Sequence, residues 1–306
     1  VSAGEGTTSQ GEFWESLLTA SVKKLPVMYV IEDNGYAISV PVKDQTPGGS
    51  ISKTLKEVPG LKVYEVDGNC PIESYAVVSQ AAKRIREKQG PVLIHAHVTR
   101  PYSHSLSDDH SMYRSKEELK TEKENDIFYS YPKTLIEAGI ITEKEAEKFL
   151  EDAGLEAKEA IGKAIETPWP EEKKSLDHLY SDEFNMESDE LNLEPKPDSD
   201  EQVPMAGAIN RVLKQEIQQN PLAVVFGEDV ADLSNYDELS DEGLKGKGGV
   251  FKVTSGVQKA GVENQVFNSH LAEANIIGRA IGMAIRGLRP IVEIQFLGFT
   301  QNCFHQ

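Results

Sequence analysis

Cysteine is almost missing: the 306 residues carry only Cys70 and Cys303, far apart in the chain. Two such residues offer neither a disulfide framework nor a zinc-binding spacing, so a reducing, cytoplasmic setting is expected. Positive charge is also scarce. Lys plus Arg number 32 against 50 Asp plus Glu, a formal net charge of −18. A surface that acidic repels phosphate backbones and anionic headgroups, which argues against general nucleic-acid or membrane-surface binding. No apolar run approaches the roughly 18 residues that a membrane span needs. The remainder, 39% hydrophobic and 27% charged, is an ordinary globular composition. At roughly 150 residues per domain the length suggests about two domains.

Apolar spacing then sets the elements. In residues 11–25, Phe13, Leu17, Leu18, Val22 and Leu25 fall at helical intervals. Val27-Met28-Tyr29-Val30-Ile31 is a short apolar run closed by Glu32-Asp33-Asn34-Gly35. It reads as a strand buried on both faces of a parallel sheet. The unit repeats, with a strand at 61–66, a helix at 72–88 striped by Tyr75, Val78, Ala82 and Ile85, and a strand at 91–98. Strands alternating with helices predict an α/β fold with a mostly parallel sheet. Val1-Ser2-Ala3-Gly4-Glu5-Gly6 reads as the last step of a strand and its turn, and 299–306 as a helix cut short. The expectation is an internal piece of a longer protein.

Residues 116–166 turn to Glu and Lys, with helical stretches at 117–125 and 143–166 and a capping-box pattern at Thr142 and Glu145. Periodicity then lapses. Residues 180–202 hold nine acids against one lysine, the composition of a solvated linker. A second α/β unit follows, with a helix at 206–218, strands at 222–226, 266–268 and 289–296, and a helix at 274–288 striped by Ile277, Ile281, Ala284 and Leu288. The domain reading is 1–167, an acidic linker at 168–203, and 204–306.

Gly4-Glu5-Gly6 and Asp33-Asn34-Gly35-Tyr36 each sit just past a strand's carboxyl end, where open α/β sheets bind ligands. Glu5 and Asn34 are 29 residues apart, a length that suits one strand–helix–strand crossover and sets both on one sheet edge. A carboxylate, an amide oxygen and a backbone carbonyl are hard donors suited to Mg²⁺ held with a phosphate ligand. The same residues also suit two ordinary helix-entry turns, and spacing alone leaves both readings open.

Taken with the following residues through Phe13 and Pro41, these two stretches resemble the thiamin-diphosphate motif of 2-oxoacid dehydrogenase E1 α chains. That family usually writes Gly-Asp-Gly and ends in Asn-Asn. Here Glu5 replaces the Asp, as in branched-chain members, and Asp33 replaces the first Asn. The resemblance implies that Gly4, Glu5, Gly6, Asn34 and Tyr36 bind the cofactor, with Glu5, the Asn34 side chain and the Tyr36 carbonyl on its Mg²⁺. Thr99-Arg100-Pro101-Tyr102-Ser103-His104 through Arg114 resembles the loop that closes over the cofactor, which makes His104 a catalytic and cofactor-contacting residue. Ser105 stands where some animal relatives are phosphorylated.

Phe226-Gly227-Glu228-Asp229-Val230, Gly248-Gly249-Val250-Phe251, Leu271-Ala272-Glu273 and residues 287–296 resemble the start of an E1 β chain. An α-type segment followed by a β-type segment is similar to fused E1 proteins. The resemblance makes Glu228 the acid that bonds N1′ of the aminopyrimidine and so promotes loss of the cofactor's C2 proton. Gln295 and Phe299 take pyrimidine-pocket positions, Phe299 where relatives often carry Tyr.

The implied whole is the thiamin-diphosphate-binding fold and oxidative decarboxylation of a 2-oxoacid, branched-chain or pyruvate. The acyl group passes to lipoyl-bearing E2, and a fused chain forms at least a dimer. An acetoin-cleaving thiamin enzyme and a non-catalytic assembly subunit are the alternatives. Three features stand outside this scheme. Lys245-Gly246-Lys247-Gly248-Gly249 lacks P-loop spacing. His95 and His97 share one strand face, as metal ligands or as satisfied sheet residues. Cys70 and Cys303 have no adjacent base and read as structural.

Overall fold

The computed structural model describes residues 1–177, 201–234, 236–240 and 247–306. Most of the expected linker, and Gly243, Lys245 and Gly246 of the glycine–lysine loop, lie outside the described residues.

The chain opens with β1 (Ser2–Gly4), α1 (Gly11–Lys23) and β2 (Met28–Asp33). A small antiparallel pair follows, β3 (Tyr36–Ala37) and β4 (Val40–Pro41), and then two short helices, α2 (Val42–Gln45) and α3 (Ile51–Leu55). Next come β5 (Lys62–Asp67), α4 (Pro71–Arg86) and β6 (Val92–His97). The four long strands pair in the order β1-β2-β6-β5, all parallel. Both faces are covered, as the continuous apolar strands require. Tyr29, Ile31 and Leu93 pack on one side with Phe13 and Leu17 of α1 and Ile51 and Leu55 of α3. Val66, Val92, Ile94 and Ala96 pack on the other with Ala81 of α4.

Helix α5 (Lys116–Glu124) is followed by α6 (Ile127–Glu137) and α7 (Glu143–Glu166). Residues 128–202 form a separate unit. Helix α7 begins with the expected capping box of Thr142 and Glu145. Helix α6 was not expected, because Pro132 lies inside it and an interior proline ordinarily breaks a helix.

The later part of the first unit holds α8 (Met205–Gln219), β7 (Ala223–Gly227), α9 (Val257–Ala260), β8 (Val266–Asn268), α10 (Glu273–Ile285) and β9 (Arg289–Glu293). The strands form a second parallel sheet, β8-β7-β9. Val225 faces Leu213, Ile217 and Val257, while Val224 and Phe226 face Ile276 and Ala280 of α10. Residues Leu297–Cys303 form a 3₁₀ helix where a longer helix was expected.

The helix stripes are corrected in part. Leu18 and Val22 of α1, Tyr75 and Val78 of α4, and Ile281 of α10 are exposed. Phe13 and Leu17 of α1 are buried as expected, and Leu25, Ile85 and Leu288 pack against the cores, so the expected stripes hold in part; Ala20, Ala81, Ile276 and Ala280 complete the buried faces in place of the exposed positions. Helix α10 also touches α1, where the Asn275 amide donates to Glu15 Oε2 at 3.0 Å and Thr19 Oγ1 donates to Asn275 Oδ1 at 3.0 Å.

Candidate active site

Strands β1 and β2 are parallel neighbours, with Gly4 opposite Glu32. That pairing sets Glu5 and Asn34 on the same carboxyl edge, as the 29-residue spacing implies. Glu5 opens the 3₁₀ turn Glu5–Ser9 and is 1% exposed. Thr46 Oγ1 donates to its Oε1, and Oε2 is buried with no hydrogen-bond partner. Burial first, and the Asp33 charge second, raise the carboxyl from its ordinary 4.5 to about 7. A buried carboxylate oxygen aimed at nothing is costly in a folded protein. A divalent cation is the kind of partner it lacks, so the residues present fit a bound metal.

The second turn is held by its own side chains. Asp33 Oδ1 accepts from the Gly35 amide at 2.8 Å, and Asn34 Oδ1 accepts from the Tyr36 amide at 3.2 Å. Gly35 sits at φ +82°, where a side chain would be strained. Burial pushes Asp33 up, but hydrogen bonds from His95 and Gly35 outweigh it and hold the carboxyl below its usual range. Gly6 allows the two turns to meet, since a Cβ there would lie 2.7 Å from Ala37 Cβ.

The 99–114 loop is anchored on this second turn. The Arg100 guanidinium donates to Ile38 O and to Tyr113 Oη, each at 2.8 Å, and Tyr113 Oη donates to Asp108 Oδ2 at 2.7 Å. Buried Arg114 pairs with Glu118 at 2.9 Å and Glu122 at 3.2 Å. Both guanidinium groups lie over the Tyr36 ring, at 5.6 Å for Arg100 and 5.1 Å for Arg114. His104 is exposed, with its amide donating to Asp108 Oδ2 at 2.8 Å. The order that the sequence motif left unexplained comes from these arginines and tyrosines.

Glu228 follows β7 directly and is half-buried. Desolvation first, then the charges of Glu273 and Glu293, raise its carboxyl above the ordinary range. Asn268 Oδ1 accepts from the amides of Val230 and Ala231, both at 2.8 Å, and so fixes the turn that presents Glu228. Sequence reasoning placed Asn268 on a strand and Glu273 in a motif without seeing these roles; only proximity across the sheet reveals them. Gln295 is half-buried just after β9, and Phe299 packs edge-on against Phe296 at 5.3 Å. Lys247 pairs with Asp229. The structure thus gathers Gly4, Glu5, Gly6, Asn34 and Tyr36 on one edge. Glu228 and Gln295 stand at the strand ends of the second sheet.

The family model for the dehydrogenase E1 component matches residues 1–173. The model for the transketolase pyrimidine-binding domain matches residues 201–306. These are thiamin-diphosphate-dependent families with Mg²⁺ as the usual partner. The 2-oxoisovalerate dehydrogenase subunit alpha of Bacillus subtilis is 35% identical over 181 residues, covering 59% of this chain and 54% of that protein. The pyruvate dehydrogenase E1 component subunit alpha of the same organism is 34% identical over 166 residues, 54% of this chain and 44% of that protein. The pyruvate dehydrogenase E1 component subunit beta of Staphylococcus epidermidis is 43% identical over 105 residues, 34% of this chain and 28% of that protein. The chain spans about half the length of the alpha-subunit relatives that it matches.

Proposed function

The chain belongs to the dehydrogenase E1 component family, and on that premise we propose that it is part of a thiamin-diphosphate-dependent 2-oxoacid dehydrogenase E1. The whole protein oxidatively decarboxylates a branched-chain 2-oxoacid or pyruvate and passes the acyl group to a lipoyl group of E2. The observation that carries this reading is the buried, unpartnered Oε2 of Glu5 at the carboxyl end of β1. Glu5, Asn34 Oδ1 and the Tyr36 carbonyl hold Mg²⁺, and Gly4 and Gly6 leave room for the diphosphate. Bound thiamin diphosphate supplies the electron sink for loss of CO₂.

Glu228 holds a proton at N1′ of the aminopyrimidine, a task suited to a carboxyl whose affinity for protons is raised by burial and two neighbouring acids. Gln295 and Phe299 flank the pyrimidine, and His104 contacts the reacting substrate. In this reading residues 1–167 belong to the diphosphate-binding domain, 168–203 are a linker and 204–306 belong to the pyrimidine-binding domain. The protein assembles at least as a dimer with E2 as partner and works in the cytoplasm. No helix among the described residues is long and apolar enough to cross a membrane.

The test is a panel of 2-oxoacids and acetoin offered to the full-length protein with thiamin diphosphate, Mg²⁺ and a dye acceptor. Turnover of a 2-oxoacid that needs both cofactors is expected. Turnover of acetoin alone moves the protein to the acetoin-cleaving enzymes. Failure to bind thiamin diphosphate makes it an assembly subunit.

A further inference from the structure

The four-stranded sheet ends in a polar cluster that meets the proposed cofactor site only through Asp33, whose Oδ1 braces the turn carrying Asn34. His95 and His97 are alternate residues of β6 and share one face of the sheet. The register sets Asp33 of β2 opposite His97 and Glu65 of β5 opposite His95. His95 is fully buried, with Nδ1 2.9 Å from Ser52 Oγ and Nε2 2.9 Å from Asp33 Oδ2. His97 Nε2 lies 2.7 Å from Glu65 Oε1, and both of these side chains are about half exposed. The two imidazole centroids are 4.3 Å apart. One ligand atom from each of Asp33, His95 and His97 falls within 4.8 Å of the other two.

We propose that Asp33, His95 and His97 form a binding site for a transition-metal ion such as Zn²⁺, with Glu65 or water as the fourth ligand. Two imidazoles and a carboxylate favour Zn²⁺ and its neighbours over Mg²⁺, which prefers oxygen alone. The supporting contacts also fit. A metal-binding histidine is oriented by a partner on its other ring nitrogen, and Ser52 holds His95 Nδ1 in this way. Asp33 is held in the same manner, because its Oδ1 accepts from the Gly35 amide and Oδ2 faces His95.

The spacing is close to what an ion needs. In a tetrahedral site with bonds of about 2.0–2.1 Å, ligand atoms stand roughly 3.3 Å apart. His95 Nε2 and Asp33 Oδ2, now 2.9 Å apart, need only open by a few tenths of an ångström. The half-exposed His97 and Glu65 provide the entry path from solvent. A bound ion links β2 to β6, and β5 as well where Glu65 is the fourth ligand.

The proposal does not rest on the thiamin-diphosphate reading, and its test avoids that cofactor. The full chain, stripped with chelator, is dialysed against ZnCl₂ in excess Mg²⁺ without thiamin diphosphate, and bound metal is counted. Visible spectra with Co²⁺ report the coordination. One equivalent of Zn²⁺ is expected, with a zinc-dependent rise in Tm. His97→Gln, a change at a half-exposed position, should lose that equivalent and the Co²⁺ absorption. Ser52→Ala should keep the ligands but weaken binding about 10–100-fold. A wild-type chain that retains no stoichiometric zinc overturns the proposal. So does an equivalent that survives His97→Gln, since it resides elsewhere.

Discussion

Glu5→Gln should stabilise the metal-free protein, by an amount that grows with pH. The native carboxyl titrates at about 7, against 4.5 for the ordinary group, because it is buried beside Asp33. Between those two values the folded chain keeps a proton that the unfolded chain has released. Native stability therefore falls as pH rises through that window and levels off above it. A gap of about 2.5 pH units at about 1.36 kcal/mol each gives a loss of about 3 kcal/mol, an upper limit that relaxation around Thr46 would reduce. Glutamine has nearly the same shape and carries no charge at any pH. The two proteins should thus match near pH 4.5, and the variant should lead by up to about 3 kcal/mol above pH 8. Urea unfolding in EDTA from pH 4.5 to 8.5 measures the difference. A constant gap across that range, or a less stable variant at pH 8, refutes the assignment of a strained carboxylate. Adding Mg²⁺ and thiamin diphosphate should reverse the order, since only the wild type gains a ligand bond.

Glu228→Gln should leave cofactor binding nearly intact but slow hydrogen–deuterium exchange at C2 of bound thiamin diphosphate by about 10²–10⁴-fold; a wild-type rate by quench-flow NMR reduces Glu228 to a strand-end acid. Arg114→Met should destabilise the segment it anchors, because Glu118 and Glu122 lose the cation they share and keep contacts such as those from Tyr36 and the Arg100 amide. Amide exchange should rise across residues 100–124 while the β1-β2-β6-β5 sheet keeps its protection, and loss of protection in the sheet would contradict this local role.

Much of the architecture was legible because parallel strands buried on both faces are written as short apolar runs. Val27 to Ile31 and residues 222–226 could be read that way with no partner in view. The face of each helix was less legible. Helix α10 is apolar nearly all round, so Ile277 and Ile281 looked as suited to the sheet as Ile276 and Ala280, and only the sheet and the neighbouring α1 separate them. Helices α2 and α3 are too short to show a period, and Pro132 hid α6. At the site, Glu5, Asn34 and Glu228 stood in recognisable motifs. Thr46, Asn268, Glu273 and Glu293 did not, because they act from other elements and no spacing along the chain ties them to the acids that they touch or repel.

The two proposed functional acids are tuned by separate surroundings. Glu5 is raised by its own burial and by Asp33, and Glu228 by its own burial and by Glu273 and Glu293. No residue serves both. Each carboxyl is therefore prepared within its own sheet, whatever brings the sheets to a shared cofactor. In each case the folded chain bears a desolvated acid; under the proposed function a cation on Oε2 would relieve Glu5, and a basic ring nitrogen that shares its proton would relieve Glu228. On that proposal, the same burial that weakens the ligand-free protein at neutral pH favours ligand binding at these strand ends. Substitutions that relieve it should raise stability and lower affinity together, a coupling that an acid merely capping a strand would not produce.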